Sequence, residues 1–323
     1  MNFLRIRTSI TGNIDKTSAL RQTYTQASYT HSKTWKSVPA MTPIIIIGLL
    51  TTLLLTWPLL RRHWREWRRR RLRAQPIPPQ WEGLLHTHVP LYNQLPPALR
   101  EQLHGHIQVL LAEKDFHGAG GLVVTDAMRL IVSAQAALLL LNRPSDYYPN
   151  LYSIVLYPAA FVVNREHWDA AGLHHRERQV LSGESWETGQ LVLSWDDTLS
   201  GGMNSGDGYN VVLHEFAHQL DLGSGAMNGT PQLDSREQRQ AWAAAFTPAF
   251  DELRARVEAG EHTWLDPYAA SEPAEFFAVL TEAFFELPCA LAREYPALYA
   301  CLRAYYRVDP GAWGDRGSGF GIQ

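Results

Sequence analysis

The chain has 323 residues, 46% hydrophobic and 19% charged, proportions that exclude a collagen-like, coiled-coil or wholly disordered polypeptide. Two cysteines, Cys289 and Cys301, exclude a disulfide framework and a four-cysteine zinc site, and read as buried free thiols. The net charge of −3 conceals a division: residues 1–80 carry 14 Lys+Arg against Asp15 and Glu66, and residues 81–323 carry 15 against 30. The acidic surplus of the longer piece argues against nucleic-acid binding and favours basic substrates.

Residues 1–42 are polar, rich in Ser and Thr and without periodicity, and read as a disordered tail. No charge lies between Lys36 and Arg61, and the centre of this gap, residues 43–60 (PIIIIGLLTTLLLTWPLL), has the length and apolarity of a single transmembrane helix. Eight arginines follow within residues 61–73, interleaved with Trp64 and Trp67. By the positive-inside rule this flank lies in the cytoplasm, where the arginines also meet anionic lipid head groups. Small residues rather than arginines would follow a cleavable signal peptide. The expected setting is therefore a bacterial inner membrane, crossed once, with the rest of the chain cytoplasmic. Residues 61–80 read as a juxtamembrane segment and linker ending in the Pro-rich AQPIPPQ, which is extended and semi-rigid.

One α+β domain is expected over 81–310, with a small sheet early, a mostly helical second half and a tail at 311–323. Residues 95–116 carry Leu99, Leu103, Ile107, Leu110 and Leu111 at helical spacing, with Pro97 near the start. The following HGAGG lacks the GK[ST] of a phosphate loop and reads as a turn. Asp126 opens a second helix through Leu141. Residues 151–163 and 190–195 are rich in β-branched and aromatic residues and read as strands, the latter as an edge strand to which an extended peptide could add. Helices are expected at 211–222, 235–258, 272–287 and 289–305.

The chemistry lies in NVVLHEFAHQLD. His214 and His218, four apart on a helix, project from one face and can share a Zn²⁺, and Glu215 points beside it as a general base. Apolar Val211, Val212, Phe216, Ala217 and Leu220 bury the helix, and a buried face does not keep two histidines and a glutamate without partners. Catalytic zinc takes a third protein ligand. The apolar stretch SEPAEFFAVLTEAFFE offers Glu275 and Glu282, seven apart on one face, and spacing alone does not choose between them. Other histidines, such as His104 with His106 and His174 with His175, read as structural.

HEFAHQLD followed about fifty residues later by YAASEPAEFFAVLTEAFF resembles the MtfA peptidases (Mlc titration factor A), which are similar in turn to the zincin-like catalytic domain of anthrax lethal factor. EKDFHGAGGLVVTDAMRL, YPAAFVV, SGESWETGQLVLSW and DGYNVVLHEFAHQLD extend the likeness over roughly residues 81–310. The resemblance implies a zincin-like metallopeptidase domain with His214, His218 and Glu275 as zinc ligands, Glu215 as general base and Tyr268 as the active-site tyrosine. Glu282 then becomes a residue holding a ligand histidine by its other ring nitrogen, and Asp221 is a second residue placed for that job. The implied activity is hydrolysis of a peptide or protein substrate. The alternative is a regulator that binds and sequesters a transcriptional repressor of the Mlc type, with peptidase activity secondary.

Overall fold

The computed structural model describes residues 41–168, 174–181, 183–186 and 189–313. Of the tail expected over residues 1–42, residues 1–40 lie outside them and 41–42 are helical, and most of the tail expected over 311–323 lies outside them. The described chain divides into two compact units, one ending at Arg62 and one beginning at His63.

The first unit holds most of helix α1 (Met41–Arg73), which runs through Pro58 without ending. From Ile45 to Leu60 its large apolar side chains are exposed, and it is long and apolar enough to cross a membrane. Its hydroxyls turn inward: Thr51, Thr52 and Thr56 donate to the carbonyls of Ile47, Gly48 and Thr52, each at 2.8 Å. Such back-bonding satisfies a polar group where no water competes.

The second unit begins with the last turns of α1, and here the expected linker gives way to packed helix. Arg65, Arg69 and Arg73 form one stripe at four-residue spacing. Arg69 is only 2% exposed. Its guanidinium donates to both oxygens of Glu113 at 2.8 Å and to Asp146 at 2.5 Å, and lies 4.7 Å from the Tyr147 ring centre. Arg73 donates to the Tyr147 hydroxyl, which is hydrogen-bonded in turn to His106 Nδ1 at 2.9 Å. Burial, aided by Arg73, pushes His106 down to about 4, so the ring is neutral. Arg68 donates to the Ala112 carbonyl at 3.3 Å, so four of the eight arginines bind protein, while Arg61, Arg62, Arg70 and Arg71 remain exposed.

Beyond residues 74–78 come α2 (Pro79–His88), α3 (Pro90–Gln94) and α4 (Pro97–Glu113), then β1 (Asp115–Gly118) and α5 (Asp126–Leu138). Strands β2 (Ser153–Tyr157), β3 (Phe161–Trp168), β4 (His174–Leu181), β5 (Gly183–Trp186) and β6 (Gln190–Ser194) follow, and then α6 (Trp195–Met203). The remainder is helical: α7 (Val211–Leu222), α8 (Arg236–Glu258), α9 (Pro273–Glu286), α10 (Pro288–Glu294) and α11 (Pro296–Tyr306). Six of these helices carry proline at their first position, where the missing N–H has no intrahelical partner to lose. The single helix expected over 289–305 is two for this reason, broken at Pro296.

The sheet order is β1-β2-β6-β5, with β1, β2 and β6 parallel and β5 antiparallel at the edge; β3 and β4 form a separate antiparallel pair. The strand expected over 151–163 breaks after Tyr157 at Pro158, which has no N–H for a ladder. The segment 190–195, expected at the edge, is interior. Leu191, Val192, Leu193 and Ser194 are all buried, the continuous pattern of a strand covered on both faces.

Helix α9 is the central element, buried from Phe276 through Glu286. Phe276 and Phe277 meet Trp242, Phe246 and Phe250 of α8, and Phe284 and Phe285 meet Tyr306 of α11. Replacing Arg69 with Met leaves Glu113 buried without its counter-charge. We expect unfolding of the full chain in nonionic micelles, followed by urea titration, to lose about 3 kcal/mol, the lower end for a broken buried pair because Asp146 is half exposed.

Candidate metal centre

Helix α7 starts at Asn210, whose side-chain oxygen accepts from the N–H groups of Val212 and Leu213, each at 3.1 Å. The same residue ties α7 to α9. Its backbone N–H donates to Glu282 Oε2 at 2.5 Å and its side-chain amide donates to Glu286 Oε1 at 3.1 Å. With the start of α7 fixed, His214 and His218 face α9 one turn apart, their ring centres 4.9 Å from each other and nearly perpendicular.

The two carboxylates that spacing left undecided take different places. Glu282, 2% exposed, accepts from His214 Nδ1 at 2.7 Å. Glu275 faces the gap between the imidazoles, its Oε2 lying 2.9 Å from His214 Nε2 and 3.4 Å from His218 Nε2. Ligand atoms of His214, His218 and Glu275 all lie within 4.8 Å of one another. Asp221 does not take up the role expected of it. Its carboxylate accepts from the Gly229 N–H and fixes the loop after α7, while His218 Nδ1 is buried without a partner among the described residues.

The donor set fits a metal of the zinc type. Because Nδ1 of a neutral His214 donates to Glu282, its Nε2 turns a lone pair on the Glu275 carboxylate, and two acceptors in contact require a cation or a proton between them. Burial opposes charge on His214, but Glu282, Glu275 and Glu215 outweigh it and raise its pKa well above the usual value. Burial likewise opposes charge on Glu275, and the bonds from His214 and His218 override it and hold the carboxyl well below the usual range. Two imidazoles with one carboxylate match zinc chemistry; the all-oxygen shells of calcium and magnesium do not resemble it.

Glu215, buried on α7, borders the same space. Gly183 at the start of β5 passes directly over it: a Cβ there would lie 2.6 Å from both Glu215 Cγ and Oε1. Only glycine leaves the carboxylate its place, a constraint without a local sequence signal. Tyr268 sits in the 3-10 turn Pro267–Ala270, 47% exposed, with its ring centre 6.2 Å from that of His214. Its N–H donates to Asp266 Oδ1 at 2.8 Å, which fixes the turn. A cavity of about 340 Å³ opens beside His214, Glu215 and Tyr268.

The other sequence candidates play supporting parts. His104 meets the Tyr92 hydroxyl as His106 meets that of Tyr147. The side chains of His174 and His175 lie outside the described set. Both cysteines are free, but Cys289 is exposed rather than buried because it falls in the first turn of α10.

Removing the carboxylate behind His214 with Glu282→Ala frees that ring to rotate. Metal affinity, read by competition with a chromophoric chelator, should fall about 10–100-fold. Because the raised pKa of His214 puts a proton where a metal must bind, metal uptake should release protons and affinity should drop as pH falls from 8 to 6. Calorimetry in buffers of different ionisation enthalpy measures that release.

The profile of the glucose-regulated metallo-peptidase M90 family matches residues 64–307. An uncharacterized protein of Synechocystis is 40% identical over 270 residues, 83% of this chain and 98% of its own length. Mlc titration factor A of Yersinia pestis and of Yersinia pseudotuberculosis are each 34% identical over 234 residues, 72% of this chain and 85% of theirs. By extent and identity, this chain belongs to the M90 metallo-peptidases, the family of Mlc titration factor A.

Proposed function

We propose that the chain is a zinc-dependent peptidase held on the cytoplasmic face of a bacterial inner membrane. The observation that carries this reading is the convergence of His214, His218 and Glu275 from two helices, with Glu282 fixing the far nitrogen of His214. In this reading those three residues hold Zn²⁺, which when bound supplies an acidified water and polarises a carbonyl.

The chain's own residues do the rest. Glu215, confined by Gly183, takes the proton of the attacking water and passes it to the leaving amine. The Tyr268 phenol donates a hydrogen bond to the oxyanion as it forms, and its exposed turn lets the ring approach a bound peptide. Among the described strands β5 is the edge beyond β6, against which an extended substrate can lie. A helix bearing HExxH beside an edge strand supports a zincin-like fold. The exposed apolar stretch of α1, its inward-bonded threonines and the arginines on one flank support a single membrane crossing with the peptidase cytoplasmic.

A regulator that only sequesters a repressor would leave this converging donor set without a task, so the peptidase reading is preferred. Full-length Glu215→Gln should retain one zinc per chain and lose about 10²–10⁴-fold in peptide hydrolysis. Tyr268→Phe should lose about 10²-fold in kcat with little change in KM. Metal content by atomic emission and turnover of a fluorogenic peptide panel check both; unchanged turnover in Glu215→Gln would sink the mechanism.

A further inference from the structure

The cavity beside the metal centre has a direction. Along α7 and back into the preceding loop, His214 is followed by Asn210 and then Asp207. Along α9, Glu275 is followed by Glu282 and Glu286, and the chain then reaches Leu287. The cross-links keep these two series in step: His214 meets Glu275 and Glu282, Asn210 meets Glu282 and Glu286, and Gly208 lies against Leu287, where a Cβ would fall 2.8 Å from the leucine Cδ1. The cavity therefore runs from the reacting end at His214 and Glu215 to a far end at Asp207 and Leu287.

Its walls change character along this line. Val211, Val279 and Ala283 are buried, lie beside or beyond His214 and present only methyl groups. Asp207 and Asp266 also line the cavity, and both are exposed and bear carboxylates. The partners of both are neutral: Asn204 and the Tyr209 N–H for Asp207, the Tyr268 N–H for Asp266. No lysine or arginine is among the described residues that line the cavity. A stretch of apolar wall together with two carboxylates that meet no cation among the described residues is complementary to an aliphatic stem with a cationic head.

From this we infer that the cavity is a side-chain subsite that takes lysine or arginine from the residue flanking the scissile bond. The inference rests on the peptidase reading for its orientation. The stem lies along Val211, Val279 and Ala283, and the cation sits between Asp207 and Asp266. The specificity is electrostatic and half exposed to solvent, so salt weakens it.

Binding tests this without requiring turnover. The probes are fluorescein-labelled peptides, differing only by Lys, Arg, Leu, Phe or Asp on one side or the other of a central bond. They are titrated into zinc-loaded full-length Glu215→Gln in nonionic micelles and followed by anisotropy. At one of the two positions, Lys and Arg should bind about tenfold tighter than Leu, the sum of two partly exposed ion pairs. Asp207→Asn and Asp266→Asn keep the acceptor oxygens that order their turns, and each should cut the Lys-to-Leu ratio about threefold. A preference for Leu or Phe at both positions, or a ratio unmoved by either variant, overturns the subsite. Hydrolysis of the same peptides by the unmutated chain separates the two readings. A Lys preference in binding without any hydrolysis removes the peptidase and keeps the subsite; hydrolysis with a Leu preference removes the subsite alone. Failure to bind any of the peptides overturns both.

Discussion

Three carboxylates on a helix with almost no access to water set the terms for the rest of the structure. Helix α9 buries Phe276 through Glu286, and an ionised glutamate there is tolerable only with hydrogen bonds and opposite charge close at hand. Glu286 lacks a cation, and burial pushes it up to about 8, so it sits beside Asn210 largely as the neutral acid near pH 7. Glu282 is satisfied by the Asn210 N–H and the His214 ring. Among the described residues, Glu275 meets the imidazoles of His214 and His218. The three carboxylates together hold α7 at Asn210, His214 and His218, and the two helices are locked in register by polar contacts inside an apolar core. Such a lock specifies alignment as much as it stabilises, because any slip leaves a buried acceptor without its donor.

That register is what gives the candidate site its form. A helix carrying two histidines one turn apart is a local fact, but an imidazole ring rotates unless its second nitrogen is held. Glu282 holds His214 and leaves its Nε2 directed at the gap where Glu275 arrives. On the opposite side the sheet contributes a single constraint, the passage of Gly183 over Glu215. The order β1-β2-β6-β5 matters here because, among the described residues, it sets the short β5 strand, rather than β6, at the edge of the sheet and against α7.

How much of this was legible depends on the range of the interaction concerned. His214, Glu215 and His218 could be read from spacing because helical periodicity is local. Glu275 and Glu282 could be named as a pair, but their division of labour is set by helix packing, to which the sequence of either helix is blind. The metallo-peptidase family was likewise recognisable, since the profile match covers the segments that carried the resemblance. The strand at 190–195 could be recognised by composition, while its interior position follows from pairing with β2, a partner more than thirty residues away. Gly183 and the turn-fixing role of Asp221 left no pattern to find. Prolines do not act alike in this chain. Pro296 ends a helix that periodicity carried through, whereas Pro58 sits inside one that continues.

The arginine block shows most clearly that a strong compositional signal can serve two physical ends. Read as charge, it is the flank that the positive-inside rule would assign to the cytoplasm. Read as a helix face, every fourth arginine from Arg65 to Arg73 is directed at the acidic unit, and Arg69 is held there by Glu113, Asp146 and the Tyr147 ring. The boundary between the compact units falls at His63, and the family match starts one residue later. The end of α1 is accordingly part of the peptidase unit and not a spacer before it. A fragment begun after the Pro-rich segment would expose the site that Arg69 fills and strand Glu113 without its cation; one begun at His63 keeps the stripe and with it the packing of α4 against the segment that carries Asp146 and Tyr147.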